Sequence, residues 1–242
     1  MTSYVVSAPR SGMNWLRYCV EALYGVRTPG KTVLISEEEC PVPAFLRSHD
    51  ALSLTRSRHA EGAWLYIDPA KTEGDRIAVI LRDPLETYVR MAKKRLRRFR
   101  RFTGNIQFYT RAVAEHKRVF YYDDLVSSPE AMADLMTFLD IQPAPGRTAP
   151  TVEEIRARWD ALGEESRASY DKRQSRGGGA QTKAEPLNFR YHQKGLSDWH
   201  KARAWRFLKR TLTAEEFALL ERYDPPARIR HGGPLSWLTD LV

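Results

Sequence analysis

Cysteine is nearly absent: Cys19 and Cys40 are the only two in 242 residues. No disulfide framework is implied, and a reduced, cytoplasmic setting is the simplest expectation. No run of 18 apolar residues occurs, so no membrane span is expected. CxxC, HExxH and acidic calcium-loop patterns are missing, and no metal is expected. The first residues lack a basic n-region and cleavage site and lead straight into an apolar run, so no secretory leader is expected. There is no internal repeat. The length suits one large domain or two small ones and a sizeable core, and a single domain over 1–242 is expected.

The most informative stretch is Ser7-Ala8-Pro9-Arg10-Ser11-Gly12-Met13-Asn14-Trp15. It joins a strand-like run (4–8) to an amphipathic helical run (14–24) closed by Gly25. A tight strand-to-helix turn of small residues leaves backbone N–H groups unpaired at a helix N-terminus, where the helix dipole also favours anions. Arg10 adds a permanent charge that forks onto phosphate or sulfonate oxygens. The turn lacks the GxxxxGK[ST] spacing and lysine of a Walker loop. Ser-Gly turns also serve backbone geometry alone. The functional reading is a P-loop-like phosphate-binding loop after the first strand.

Further along, strand-like and helix-like runs alternate. Phe45-Leu46 ends in Arg47-Ser48-His49-Asp50; 64–67 and 76–81 read as strands; so does 119–122. Pro129 opens a helix to Leu139 with Ser128 as its N-cap. Thr151…Glu154 and Thr213…Glu216 are capping-box patterns. The fold class expected is α/β, a central parallel sheet flanked by helices. The glycine-rich stretch at about 175–187 reads as a mobile loop.

Several chemistry-bearing groups fall at strand ends, where open α/β sheets bind ligands. Arg82-Asp83-Pro84 follows the 76–81 strand and places Arg82 for a second phosphate. His49 follows an apolar run two residues after Arg47; a histidine beside a fixed cation stays neutral and serves as a general base. Tyr122-Asp123-Asp124 ends another strand, and Lys194-Gly195 offers a charge and a close backbone approach to an anion.

The formal charge is +9, and the eight Lys/Arg between Arg90 and Arg101 supply nearly all of it. Val89, Ala92, Leu96 and Phe99 recur there at helical spacing, which predicts one basic helix over 90–101. Its charges read first as a solvated face, and second as a docking site for an acidic acceptor or polyanion. Lys93, Lys94, Arg95, Arg97 and Arg98 are its expected exposed positions.

Together these segments resemble the sulfotransferases that use 3′-phosphoadenosine-5′-phosphosulfate (PAPS). Pro9-Arg10-Ser11-Gly12-Met13-Asn14-Trp15 is similar to their 5′-phosphosulfate loop, and Arg82-Asp83-Pro84 to the start of their 3′-phosphate segment. Arg47-Ser48-His49 is similar to their Lys-Thr-His strand. Tyr122-Asp123-Asp124 looks like their Tyr-Glu-Asp, and Gln193-Lys194-Gly195…Ser197-Asp198-Trp199 like their closing signature. Met13 and Asn14 stand where threonines are frequent, and Arg90 where many relatives have a serine. Gln193 replaces a basic residue for which Arg190 is the candidate substitute.

The resemblance implies His49 as the base, with Arg10 and Arg47 stabilising the transferred group. It implies PAPS as co-substrate and its product PAP (the 3′,5′-bisphosphate), held by Arg10, Ser11, Gly12, Met13, Asn14, Trp15, Arg82, Arg90, Tyr122, Tyr170, Lys194 and Gly195, with Trp15 and Tyr170 flanking the adenine. The partner would be a small-molecule or glycan acceptor, not nucleic acid, and His192 competes with His49 as base. Two alternatives stay open: a P-loop-type nucleotide kinase, against which count the missing Walker lysine and the lack of a clear magnesium-binding acid near the loop, and a polyanion or nucleic-acid binder using 90–101. The acceptor and oligomeric state are not legible.

Overall fold

Alternating apolar runs form four strands: β1 (Ser3–Ser7), β2 (Leu46–Ser48), β3 (Arg76–Leu81) and β4 (His116–Tyr121). The computed structural model describes residues 1–30, 34–35, 43–54, 64–174 and 195–225, the side chains of 170–174 excepted. The strands make one sheet in the order β2-β1-β3-β4, parallel throughout. Val5 pairs with Arg47 on one side and Ala78 on the other, while Leu81 pairs with Tyr121.

The expected α/β class, a parallel sheet flanked by helices, is therefore what the chain adopts. One face of the sheet carries Val6, Ile77, Val79 and Leu81, packed against α2 (Pro84–Met91), α3 (Leu96–Arg111), α7 (Asp198–Thr211) and α8 (Ala214–Ala218). The other carries Val5, Ala78, Ile80 and Phe120, packed against α1 (Met13–Tyr24), α5 (Pro129–Phe138) and α6 (Val152–Gln174). A short helix, α4 (Tyr122–Ser127), follows β4 directly. Side chains alternate along a strand, so strands buried on both sides read as continuous apolar runs; β3 is one.

Helix starts follow their caps. Ser128 Oγ accepts from the Ala131 amide and Asp83 from those of Leu85 and Glu86. Thr213 and Glu216 form a reciprocal capping box, as do Thr151 and Glu154. Among the described residues no helix is long and apolar enough to cross a membrane.

Three sequence expectations change. The 64–67 stretch is not a strand: its ladder pairing among the described residues is a single antiparallel bridge from Trp64 to Ser48. Its polar groups instead pin the 48–51 corner, Leu65 O accepting from Ser48 Oγ and the Ile67 amide donating to Ala51 O, before Asp68-Pro69 opens a tight turn. The last strand starts at His116 and stops at Tyr121, so Tyr122 opens α4, where Asp123 and Asp124 suit the positive helix end. The basic helix is broken. Lys93 and Lys94 take φ values of 48° and 64°, separating α2 from α3. The fully buried Tyr88 fixes that break by donating its hydroxyl to Lys94 O at 2.7 Å. The apolar stripe survives it: Ala92, Leu96 and Phe99 are all buried on one side. The glycine-rich stretch 175–187 lies outside the described residues.

Candidate active site

Because all four strands run the same way, their carboxyl ends share one edge. The 8–12 turn follows β1, His49 follows β2, Arg82 follows β3 and Tyr122 follows β4. Neighbouring strands β2 and β3 leave β1 in opposite directions along the sheet, the switch point where such sheets bind ligands.

The first turn is tight. The Ser11 amide bonds Ala8 O at 3.2 Å, and Gly12 O accepts from Trp15 and Leu16. Gly12 caps α1 at φ 91° with no side-chain cap, and the amides of Gly12, Met13 and Asn14 have no acceptor among the described residues. Ser11 Oγ is buried in the same turn without a partner among the described residues. Arg10 is exposed and takes φ 76°, a left-handed conformation that costs roughly 1–2 kcal/mol for a residue with a β-carbon. Arg82 offsets that cost by donating from a guanidinium nitrogen to Arg10 O at 2.8 Å.

Arg82 does two further things. Its guanidinium lies 4.2 Å from the centre of the Tyr122 ring, and that ring covers Gly12 so closely that a β-carbon there would collide with it. It also faces Glu86 at 3.7 Å, while Arg90 Nε reaches the same carboxylate oxygen at 2.7 Å. Glu86 is fully buried between the two cations. Burial pulls the Arg82 pKa down, and Arg90 adds to this, against the carboxylates of Glu86 and Asp123 and the Tyr122 hydroxyl.

Arg47 is the most unusual side chain at this edge. It is 7% exposed, its Nε is orphaned, and it has no ion pair or side-chain hydrogen bond among the described residues. Burial, then the nearby Arg17, lower its pKa to about 10, so it remains charged at neutral pH. An unpaired buried cation is costly, and a site meant for an anion is its natural explanation.

His49 is half-buried, and its Nδ1 lies 2.8 Å from Ser7 O. A carbonyl only accepts, so Nδ1 carries the proton and Nε2 keeps the lone pair. Burial first, then Arg47 and Arg101, lower its pKa to about 4, with the Ser7 bond opposing. Trp64 packs edge-on at 5.4 Å between ring centres. Asn105 on α3 clamps the following turn, donating to His49 O and accepting from the Ala51 amide.

Met13 is buried, Asn14 exposed, and Trp15 half-buried with its indole N–H donating to Leu125 O at 2.8 Å. Trp159 on α6 meets Trp15 edge-on at 5.3 Å, an aromatic neighbour the sequence reading missed. Tyr170 lies on α6 with its side chain outside the described residues, as are Lys194, Arg190, His192 and Gln193 altogether. Gly195 precedes Leu196, which is buried in the core. His116 is exposed at the start of β4.

Two further features escaped the sequence reading. Arg17 and Glu21, both buried on α1, bind the segment behind the helix: Arg17 Nε donates to Thr28 Oγ1, and Glu21 accepts from Thr28 and from the amides of Leu34 and Ile35. The chain also contains Gly25-Val26-Arg27-Thr28-Pro29-Gly30-Lys31-Thr32, which has Walker spacing. A Walker loop follows a strand and opens a helix. Here Gly25 closes α1 at φ 67°, and it sits with Met1, Thr2 and Ser3 near the start of β1. It is a helix C-cap at the other end of the sheet. No protein-family model matches the chain, and comparison with curated proteins finds no match.

Proposed function

We propose that the chain transfers a sulfuryl group from PAPS to a hydroxyl or amine. The observation that carries this reading is the pairing of Arg47 and His49: a nearly buried guanidinium without a partner among the described residues, beside an imidazole held neutral with its Nε2 lone pair available. Arg47 Nε, Ser11 Oγ and three turn amides, all without partners among the described residues, fit an anionic donor bound at this edge.

The P-loop-like turn 8–12 and Arg10 hold the 5′-phosphosulfate, Arg47 holds the sulfonate, and Arg82 with Arg90 takes the 3′-phosphate. Trp15, braced by Trp159, flanks the adenine. His49 Nε2 accepts the acceptor's proton as its oxygen or nitrogen bonds to sulfur. The bond from sulfur to the 5′-phosphate oxygen breaks, PAP leaves with that electron pair, and Arg10 and the turn amides stabilise the charge developing there.

The test is calorimetry with PAP, AMP and ATP plus magnesium, with and without EDTA, followed by labelled transfer from PAPS to a panel of alcohols, phenols, amines and glycans. PAP is expected to bind far more tightly than AMP, independently of metal. Equal affinities, an absolute need for metal, or a preference for ATP with magnesium overturns the reading.

A further inference from the structure

The broken basic segment does more than present a charged face. With the 50–53 turn it lines an open cavity of about 760 Å³. Five arginines line this cavity, Arg95, Arg97, Arg98, Arg100 and Arg101, against a single carboxylate, Asp50. Arg95, Arg97, Arg98 and Arg100 have no side-chain hydrogen bond or ion pair among the described residues. Leu52 and Met91 contribute apolar surface. The volume lies within the usual range for small-molecule sites, about 300–1,000 Å³.

The charge is placed against local preference. Arg95 is the N-cap of α3 and makes no capping bond, and no acidic residue occurs in the first turn. Helix N-termini favour anions and disfavour cations. A bound anion reverses both the dipole penalty and the mutual repulsion of the arginines.

The cavity adjoins the turn that follows the base. Asp50 follows His49 in the chain, and the α3 residue Asn105 clamps this turn. Arg101 spans the gap: its Nε is 3.9 Å from Asp50, and its guanidinium is 5.1 Å from the Trp64 ring that packs on His49.

We infer that the acceptor is a small anionic hydroxyl compound, with a carboxylate, phosphate or sulfate group held by these arginines and its hydroxyl directed to His49. This rests on the sulfotransferase reading for the reaction, which is unchanged, but not for the binding. A nucleic acid is disfavoured because, among the described residues, no aromatic side chain lines the cavity to stack bases.

The test uses the full chain saturated with PAP. Glucuronate, glucose 6-phosphate and N-acetylglucosamine 6-sulfate are titrated against neutral glucose by calorimetry, beside a short oligonucleotide. The same titrations are run on Arg97→Glu/Arg100→Glu, both exposed positions. At least one anionic sugar is expected to bind, more weakly as salt rises, and the double reversal to weaken it about tenfold or more. Anionic sugars no tighter than glucose, unchanged affinity in the variant, or an oligonucleotide that outcompetes them overturns the inference. PAP titration separates the two readings. If wild-type protein fails to bind PAP, the sulfotransferase reading falls while anion binding, measured without PAP, still stands or falls on the variant. If only the variant loses PAP, the arginines belong to the donor site and the inference is wrong.

Discussion

The imidazole of His49 donates from Nδ1 to the carbonyl of Ser7, 2.8 Å away, tying the carboxyl end of β2 to that of β1. The bond sets the tautomer, and the surrounding burial and cations lower the pKa to about 4 from an ordinary 6.5. The acid limb of kcat/KM is therefore expected near pH 4 to 5, with no inflection at 6.5. Bound donor brings negative charge beside the ring and raises this pKa, so the acid limb of kcat lies above that of kcat/KM. His49→Ala is expected to lose about 10²–10⁴-fold in single-turnover transfer, with PAP affinity kept within a few-fold. Near-normal transfer in that variant removes His49 from the mechanism.

The same depressed pKa affects stability. Between pH 6.5 and about 4 the unfolded chain holds a proton on His49 that the folded chain does not. Its contribution is present in full above 6.5 and is lost as pH falls toward 4, about 3 kcal/mol in all. Wild-type Tm is expected to drop over this window more steeply than that of His49→Gln. Parallel Tm curves for the two proteins would contradict the assignment.

Arg47 carries a second prediction, in which stability and function part company. Its buried charge has no counter-ion among the described residues, so Arg47→Met removes a desolvation cost without breaking a pair. The Tm of the ligand-free variant is expected to match or exceed wild type, while transfer falls about 10²–10³-fold, as for loss of a charge-stabilising donor. PAPS, which carries the sulfonate, is expected to raise wild-type Tm more than the variant's. A clear loss of stability on its own would make Arg47 a structural residue.

The turn around Gly12 depends on its lack of a side chain in two ways. The φ of 91° strains any residue with a β-carbon, and that carbon would enter the Tyr122 ring. Gly12→Ala is expected to lower Tm and weaken PAP binding. Adding Tyr122→Ala removes the collision but leaves the strain, so it recovers only part of the Tm. It does not recover affinity, because Tyr122 also supports Arg82. Full recovery would show that φ at Gly12 is immaterial.

Much of the edge was legible in the sequence because parallel topology makes strand ends equivalent. A run such as Ile77–Leu81 announces a strand buried on both faces, and Arg82 then falls at its end. Other features were hidden for physical reasons. Lys93 and Lys94 break a helix without the glycine or proline that marks a break, since the cause is Tyr88 bonding from the core. Glu86–Arg90 and Arg17–Glu21 have the spacing of ordinary surface pairs, and only the chain folded over them makes them buried. The Walker-like pattern at 25–32 shows the reverse case, a spacing that begins at a helix C-cap where a Walker loop follows a strand. Trp64 looked like a strand residue because an aromatic packed on an edge loop has the same local pattern.

Glu86 gives the last prediction. Its carboxylate is fully buried and faces both Arg82 and Arg90, the cations assigned to the 3′-phosphate. Breaking a buried pair typically costs about 3–5 kcal/mol, because the partner charges stay behind. Glu86→Gln keeps the shape and removes the charge, so a fall of this order in unfolding free energy is expected by denaturant titration. The 3′-phosphate then has a second task in the variant, since it also supplies the missing negative charge. The Tm rise produced by saturating PAP is expected to be larger in Glu86→Gln than in wild type. The rise produced by AMP, which lacks that phosphate, should be the same in both. Equal PAP-induced rises would mean that Arg82 and Arg90 support the turn through Arg10 and Glu86 without touching the nucleotide.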